Sequence, residues 1–423
     1  MDKLDIEINL DASGIEKNQI EDMKSSALSL LDELWQKKHT GTDWIDFPLK
    51  ISRQQIEEIK NAAVYVQGNC KKMIVIGIGG SFLGAKAGIE ALMPQIENAR
   101  NSMGENYPFV DVVFAGNNLS AFALSKFVKM VQDEDVMLCV ISKSGDTLEV
   151  KVAFSILFAE LEERFGPKEA AKRIIMITDP SSGALRELAN EKKYIALDIP
   201  SGIGGRYSVL TAVGLLPMAV MGLDIEQLLA GAVAAAGSPR WDTDALEYAI
   251  ARHIYRKNGK RLEVFEVYEP QLYSFTLWLM QLFGESEGKS CDAIYPTSLE
   301  LTQDLHSMGQ YLQEGADILF ETVIDAPSKV LDLQVPKTFF EDMSASSIGA
   351  LNEIAKKAVI KAHKEAHRPV LRIAVSEISE YTLGEMFYFF ETSCAVSALF
   401  QEVNPFDQPG VENYKSEMRK LLK

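Results

Sequence analysis

The chain has 423 residues, 47% hydrophobic and 24% charged, an ordinary globular composition long enough for two sizeable cores. A net charge of −17 gives no basic face, so neither nucleic acid nor an anionic membrane is an expected partner. No apolar run approaches the ~18–20 residues that span a bilayer, and the acidic residues 1–7 lack the apolar core of a signal peptide.

Cys70, Cys139, Cys291 and Cys394 form no C-x-x-C pair, which argues for a reducing cytoplasm and against a disulfide framework or a zinc site. Cys139 and Cys394 lie in apolar segments and are expected as core thiols.

In chain order, residues 16–38 read as a helix, within a helical N-terminal segment (1–45) packed outside the domains. Short Val/Ile/Leu-rich runs at 73–78, 110–115, 136–141 and 174–177 read as buried strands. Helical periodicity at 148–165 and 182–190 fills gaps between them, so residues 46–222 form a βαβ series and a parallel sheet. A helical connection over about 207–257 leads to a second series in 223–423. Its expected strands are 262–267, 318–324 and 370–375, and its helices 272–283, 305–313, 349–364 and 382–400. Residues 325–345 look like a surface loop. The fold class is therefore α/β, two αβα sandwich domains with parallel sheets.

Six positions could carry chemistry. The turn Gly77-Ile78-Gly79-Gly80-Ser81-Phe82 follows the first parallel strand and opens a helix. A dinucleotide fingerprint fails there, because Phe82 stands where the third glycine belongs and no carboxylate ends the next strand. The alternatives are a bare strand-to-helix turn and a loop that contacts a sugar or phosphate through the Gly80 N–H and Ser81.

Ser142-Lys143-Ser144-Gly145-Asp146-Thr147 precedes the helix carrying Glu149. One hydroxyl suffices for an N-cap, and this turn has three, so it suits a phosphate monoester. Asp146 must then point away or be offset. In Gly204-Gly205-Arg206-Tyr207-Ser208 the arginine suits a developing oxyanion, or a structural ion pair.

Glu285 follows an apolar helix, with Gln281 one turn earlier and Glu287 as a like charge. Burial and like charge raise a carboxyl pKa toward that of a general base, and the alternative is a solvated helix end. His306 is expected at the start of an amphipathic helix, as a catalytic or a structural group. The other histidines, His39, His253, His363 and His367, look solvated. Lys415 ends the turn Val403-Asn404-Pro405-Phe406-Asp407-Gln408-Pro409-Gly410 and the residues after it, and is expected to begin the last helix.

These pieces, in this order, resemble the phosphoglucose isomerase family, in its short bacterial form. The match runs from the Gly77 turn to Lys415, and the blocks 204–208 and 406–415 resemble the family's two signature motifs. The resemblance implies two sugar-isomerase domains with the active site between them and at a homodimer interface, in a cytoplasmic enzyme of glycolysis and gluconeogenesis. It implies interconversion of glucose 6-phosphate and fructose 6-phosphate through a cis-enediolate, without metal or organic cofactor. Glu285 would move the proton between C2 and C1, and Arg206 would stabilise the enediolate. His306 and Lys415 would serve ring opening, and Glu149 would orient His306. Ser142, Ser144, Thr147 and the Lys143 backbone would hold the phosphate. Gly80, Ser81, Gln281 and Gln408 would contact the substrate. Asp146 stands where the family usually has the first of two threonines, and Val150 where bacterial members often have proline. Two rival readings are a sugar-phosphate-binding regulator on the same kind of domain and an isomerase of another sugar phosphate, such as mannose 6-phosphate.

Overall fold

The computed structural model describes residues 5–104, 110–237, 244–327, 330–336 and 347–422. Among them run ten strands: β1 (Ile6–Ala12), β2 (Lys72–Ile76), β3 (Asp111–Ala115), β4 (Val136–Ile141), β5 (Ile174–Thr178), β6 (Ile195–Asp198), β7 (Leu262–Val267), β8 (Tyr295–Glu300), β9 (Leu319–Asp325) and β10 (Val370–Val375). The chain divides into two compact units, residues 41–236 and residues 1–40 with 237–423.

The unit 41–236 holds a five-stranded sheet in the order β3-β2-β4-β5-β6, parallel throughout. Every residue of β4 is buried, as expected of a central strand covered on both faces. The helix Leu148–Phe165 turns Val150, Ala153, Phe154, Leu157 and Leu161 inward, a 3–4-residue spacing that puts them on one face. They pack against Ile74, Ile76, Leu138 and Val140 of the sheet. Each such side chain contributes about 1.5–3 kcal/mol on full burial. Gly166 at φ +75° and Pro167 stop this helix.

This unit reaches past residue 222 because the helix Ile225–Gly237 is tied back to it. Glu226 pairs with Arg53 at 2.9 Å and with Lys60 at 3.2 Å.

In the other unit the sheet order is β1-β10-β9-β7-β8, parallel except for β1, which pairs antiparallel with β10. β1 lies in the segment read as purely helical. Alternation decides it: Ile6 and Ile8 face inward while Glu7 is exposed. The helix Lys17–Trp35 follows it. β6 and β8 were also missing from the expected strands. β6 is only four residues long, and β8, at the sheet edge, contains Pro296 and is mostly half-buried. The helix Glu380–Phe400 is buried continuously from Thr382 to Ala398 and forms the heart of this unit. Much of the loop expected at 325–345 lies outside the described residues. No described helix is long and apolar enough to cross a membrane.

Candidate active site

Three turns of the unit 41–236 carry expected site residues. After β2, Gly79 takes φ +59° and opens a short 3-10 turn, Gly79–Ser81. Gly80 is there because nothing larger fits: a Cβ on it would lie 2.0 Å from the Gly205 carbonyl oxygen. The first turn thus packs directly on the arginine loop. Arg206 sits in the 3-10 turn Gly205–Tyr207 and is only 3% exposed. Behind it the Tyr207 ring stacks on Trp44 at 5.0 Å between centroids, and the Ser208 hydroxyl donates to the Gly205 carbonyl at 2.7 Å.

The hydroxyl turn follows β4. The Ser142 hydroxyl accepts from the Gly145 N–H at 3.1 Å, and that of Ser144 from the Asp146 N–H at 3.1 Å. Thr147 is the N-cap of Leu148–Phe165, yet its side chain makes no cap hydrogen bond. The helix end therefore keeps its positive character. Asp146 is exposed and its carboxylate pairs with Lys151 at 2.6 Å, so its charge is offset. Glu149 stands half-buried in the first turn of the helix. The Lys143 side chain turns to the segment before Arg206, its ammonium donating to the carbonyls of Ser201 at 2.6 Å and Ile203 at 3.0 Å. Burial lowers this ammonium below the usual lysine pKa, partly opposed by Asp179 and Asp43.

Sequence reasoning missed Asp179. Its carboxylate accepts from the N–H and hydroxyl of Ser181 (both 3.0 Å), from the N–H and hydroxyl of Ser182 (3.1 and 3.2 Å), and from the Ser201 hydroxyl (2.9 Å). The Ser181 N–H first, then the hydroxyls, hold this carboxyl well below its ordinary pKa against the effect of burial. Asp179-Pro180-Ser181-Ser182 carries the signature of a turn closed by an aspartate side chain, which could have revealed it.

The other unit carries the second group. The helix Tyr273–Glu287 buries Phe275, Trp278, Leu279, Leu282 and Phe283 and ends at Gly288. Glu285 is half-buried in its last turn, and the Gln281 amide donates to its carboxylate at 3.2 Å, the expected one-turn pair. Glu287, the neighbouring like charge, has a partner of its own. It is fully buried, and Arg252 donates to its carboxylate at 2.7 Å. Glu263 pairs with the same guanidinium and accepts from Tyr248 and Thr322.

His306 is exposed, and ends the 3-10 turn Gln303–His306 instead of opening a helix. The short helix Gly309–Glu314 comes after it. Lys415 does not begin the last helix. Pro409 starts it, since proline suits the first helical position, and Gln408 is its N-cap. Lys415 lies in the second turn of Pro409–Leu421, half-buried, with Glu412 at 3.2 Å. Nor are all the remaining histidines solvated. His363 is buried and its Nδ1 lies 2.7 Å from the Glu321 carboxylate. His253 is half-buried, which pushes its pKa down to about 4.

Parallel αβα units bearing a hydroxyl-rich helix entry, a buried arginine loop and a half-buried carboxylate define a sugar-isomerase type of α/β protein. Solved structures agree on the fold. A hypothetical protein from Thermus thermophilus is similar with a TM-score of 0.87 and 24% identity, covering 99% of each chain. A glucose-6-phosphate isomerase from Chlamydia trachomatis has a TM-score of 0.84 and 18% identity, covering 99% of this chain and 89% of the other. The family model for phosphoglucose isomerase matches residues 49–315. The glucose-6-phosphate isomerase of Acetivibrio thermocellus is 41% identical over 92% of this chain and 90% of its own length. That of Clostridium tetani is 37% identical over 100% and 96%. The chain belongs to the phosphoglucose isomerase family.

Proposed function

We propose that the residues described above serve the reversible isomerisation of D-glucose 6-phosphate to D-fructose 6-phosphate. The observation that carries this reading is near-full-length similarity to glucose-6-phosphate isomerases, 41% over 92% of the chain in the Acetivibrio case. The chain is an isomerase, an intramolecular oxidoreductase, and its reaction passes through ring opening and a cis-enediolate.

In the opened aldose, Glu285 takes the proton from C2. The C–H electron pair forms the C1–C2 double bond, and the C1 carbonyl electrons move to oxygen, giving the enediolate. Arg206 stabilises that oxyanion. A proton passes from the C2 hydroxyl to the C1 oxyanion, and Glu285 returns its proton to C1 while the carbonyl forms at C2, giving the ketose. The hydrogen bond from Gln281 keeps the Glu285 carboxylate aimed, and Gln281 also contacts the substrate. His306 and Lys415 move the proton between the ring oxygen and the C1 hydroxyl during opening and closure, with Glu149 orienting His306. Ser142, Ser144, Thr147 and the Lys143 N–H hold the phosphate at the helix N-terminus, and Gly80, Ser81 and Gln408 complete the contacts. With a net charge of −17, binding depends on these local donors rather than on long-range attraction. The working form is a cytoplasmic homodimer with its active site at the subunit interface.

The test is a coupled assay for fructose 6-phosphate, run in parallel with glucose 6-phosphate and mannose 6-phosphate. Product from glucose 6-phosphate is expected. None would overturn the reading, and product from mannose 6-phosphate alone would reassign the substrate.

A further inference from the structure

The helix that carries Glu285 and the turn that leads to Lys415 are joined by one side chain. Lys289, directly after Gly288, is 13% exposed at its side chain. Its ammonium donates to the Asn404 carbonyl and pairs with the Asp407 carboxylate at 2.8 Å. The Asn404 side chain in turn accepts from the Phe406 N–H at 3.0 Å, closing the turn on itself, and Pro405 is buried beneath it. Asp407 immediately precedes Gln408, the N-cap from which Pro409–Leu421 departs. A largely buried ammonium needs partners to offset its lost hydration, and here the partners are the turn itself. We infer that Lys289 is a positioning residue: it fixes the turn 403–408 against the end of the Glu285 helix and thereby sets where Gln408 and Lys415 stand. This rests on the ring-opening role given to Lys415 above.

The link has a mechanical and a kinetic consequence. In the full-length protein, Lys289→Met should speed backbone amide exchange across residues 403–415 several-fold while exchange in β7 stays unchanged. Turnover of cyclic glucose 6-phosphate should fall about tenfold or more, since misplacing a reacting group is costly. Exchange of the C2 proton of an aldose phosphate too short to close a pyranose should stay within a few-fold of the unsubstituted chain. Lys289→Arg can still donate to a carbonyl and pair with a carboxylate, so it should recover most of the loss. A Lys289→Met/Lys415→Met pair should be little slower on the cyclic substrate than Lys415→Met alone. If Lys289→Met fails to fold, Asp407→Asn, which removes only the exposed half of the link, should give the same pattern more weakly. Unchanged amide exchange over 403–415 would overturn the inference. So would equal loss on both substrates in a folded variant. If Lys415→Met itself showed no preference for the cyclic substrate, the role proposed for Lys415 would fall, and the amide exchange alone would decide whether Lys289 holds the turn.

Discussion

Gly80 packs so closely on Gly205 that a Cβ on the first would lie 2.0 Å from the carbonyl oxygen of the second. Two turns, one after β2 and one leading into Arg206, are thus fixed against each other through backbone. Gly80→Ala must push the Arg206 loop away. Loss of transition-state stabilisation is expected, with kcat falling about 100-fold, the scale that a 1 Å displacement can cost. Steady-state kinetics on the folded variant checks this, and a change under a few-fold would mean that the loops part without disturbing Arg206.

The hydroxyl turn should give a different kinetic signature. Contacts to a phosphate remote from the reacting carbons are nearly equal in the ground and transition states. Ser144→Ala and Thr147→Val are therefore expected to raise KM more than they lower kcat. Asp146 is exposed and paired with Lys151, so Asp146→Thr should change KM by no more than about twofold, the size of a screened surface charge effect. Improved binding beyond that would mean Lys151 does not offset the aspartate.

Strands buried on both faces were the most legible part of the fold. β4 is an unbroken apolar run and β7 an apolar run interrupted by Glu263 and Glu266, and the structure places both at the expected bounds. β1 is obscured because the inward alternation of Ile6 and Ile8 is short and mixed with the acidic Glu7 and Asp11. β8 was obscured because an edge strand needs little apolar content. At the candidate site, the Gln281–Glu285 pair was legible because helical spacing fixes it. The Arg252–Glu287 pair was not, since its members are far apart in sequence and only the tertiary fold brings them together. The partners of the Lys143 ammonium were not legible either, because nothing local announces that it reaches residues 201 and 203.

His306 is assigned to ring opening, so its loss should matter less once the ring is open. His306→Ala should be severely slow on cyclic glucose 6-phosphate, yet should still exchange the C2 proton of a shorter aldose phosphate that cannot form a pyranose. Comparing the two rates checks it, and equal loss on both would remove His306 from the ring-opening step.

Stability should fall as pH rises through neutrality. Burial first, then the nearby Asp5, push the Glu385 carboxyl up to about 7, and burial alone raises Glu391 well above its usual value. A folded-state pKa above the unfolded value means that the folded protein binds the extra proton. Its stabilisation is complete below the unfolded carboxyl pKa, about 4.3, and is lost as pH rises through about 7. Urea unfolding at pH 5 and pH 8 is expected to show lower stability at pH 8, with a smaller difference in Glu385→Gln. The amide oxygen can still accept the Asp5 N–H bond seen at 3.3 Å. Identical pH dependence in the two proteins would contradict this.

Isomerisation is expected to depend on Glu285 as the group that moves the proton. Isomerisation of glucose 6-phosphate in deuterium oxide, followed by NMR, reads that step directly. The unsubstituted chain is expected to place solvent deuterium at C1 of fructose 6-phosphate and at C2 of re-formed glucose 6-phosphate. Glu285→Gln keeps the shape and a hydrogen-bonding oxygen but cannot accept a proton. It should lose both signals by at least about 100-fold, the lower end of general-base catalysis, while still binding the sugar phosphate. Deuterium incorporation by Glu285→Gln within a few-fold of the unsubstituted chain would contradict the role of Glu285 and give the base to another residue.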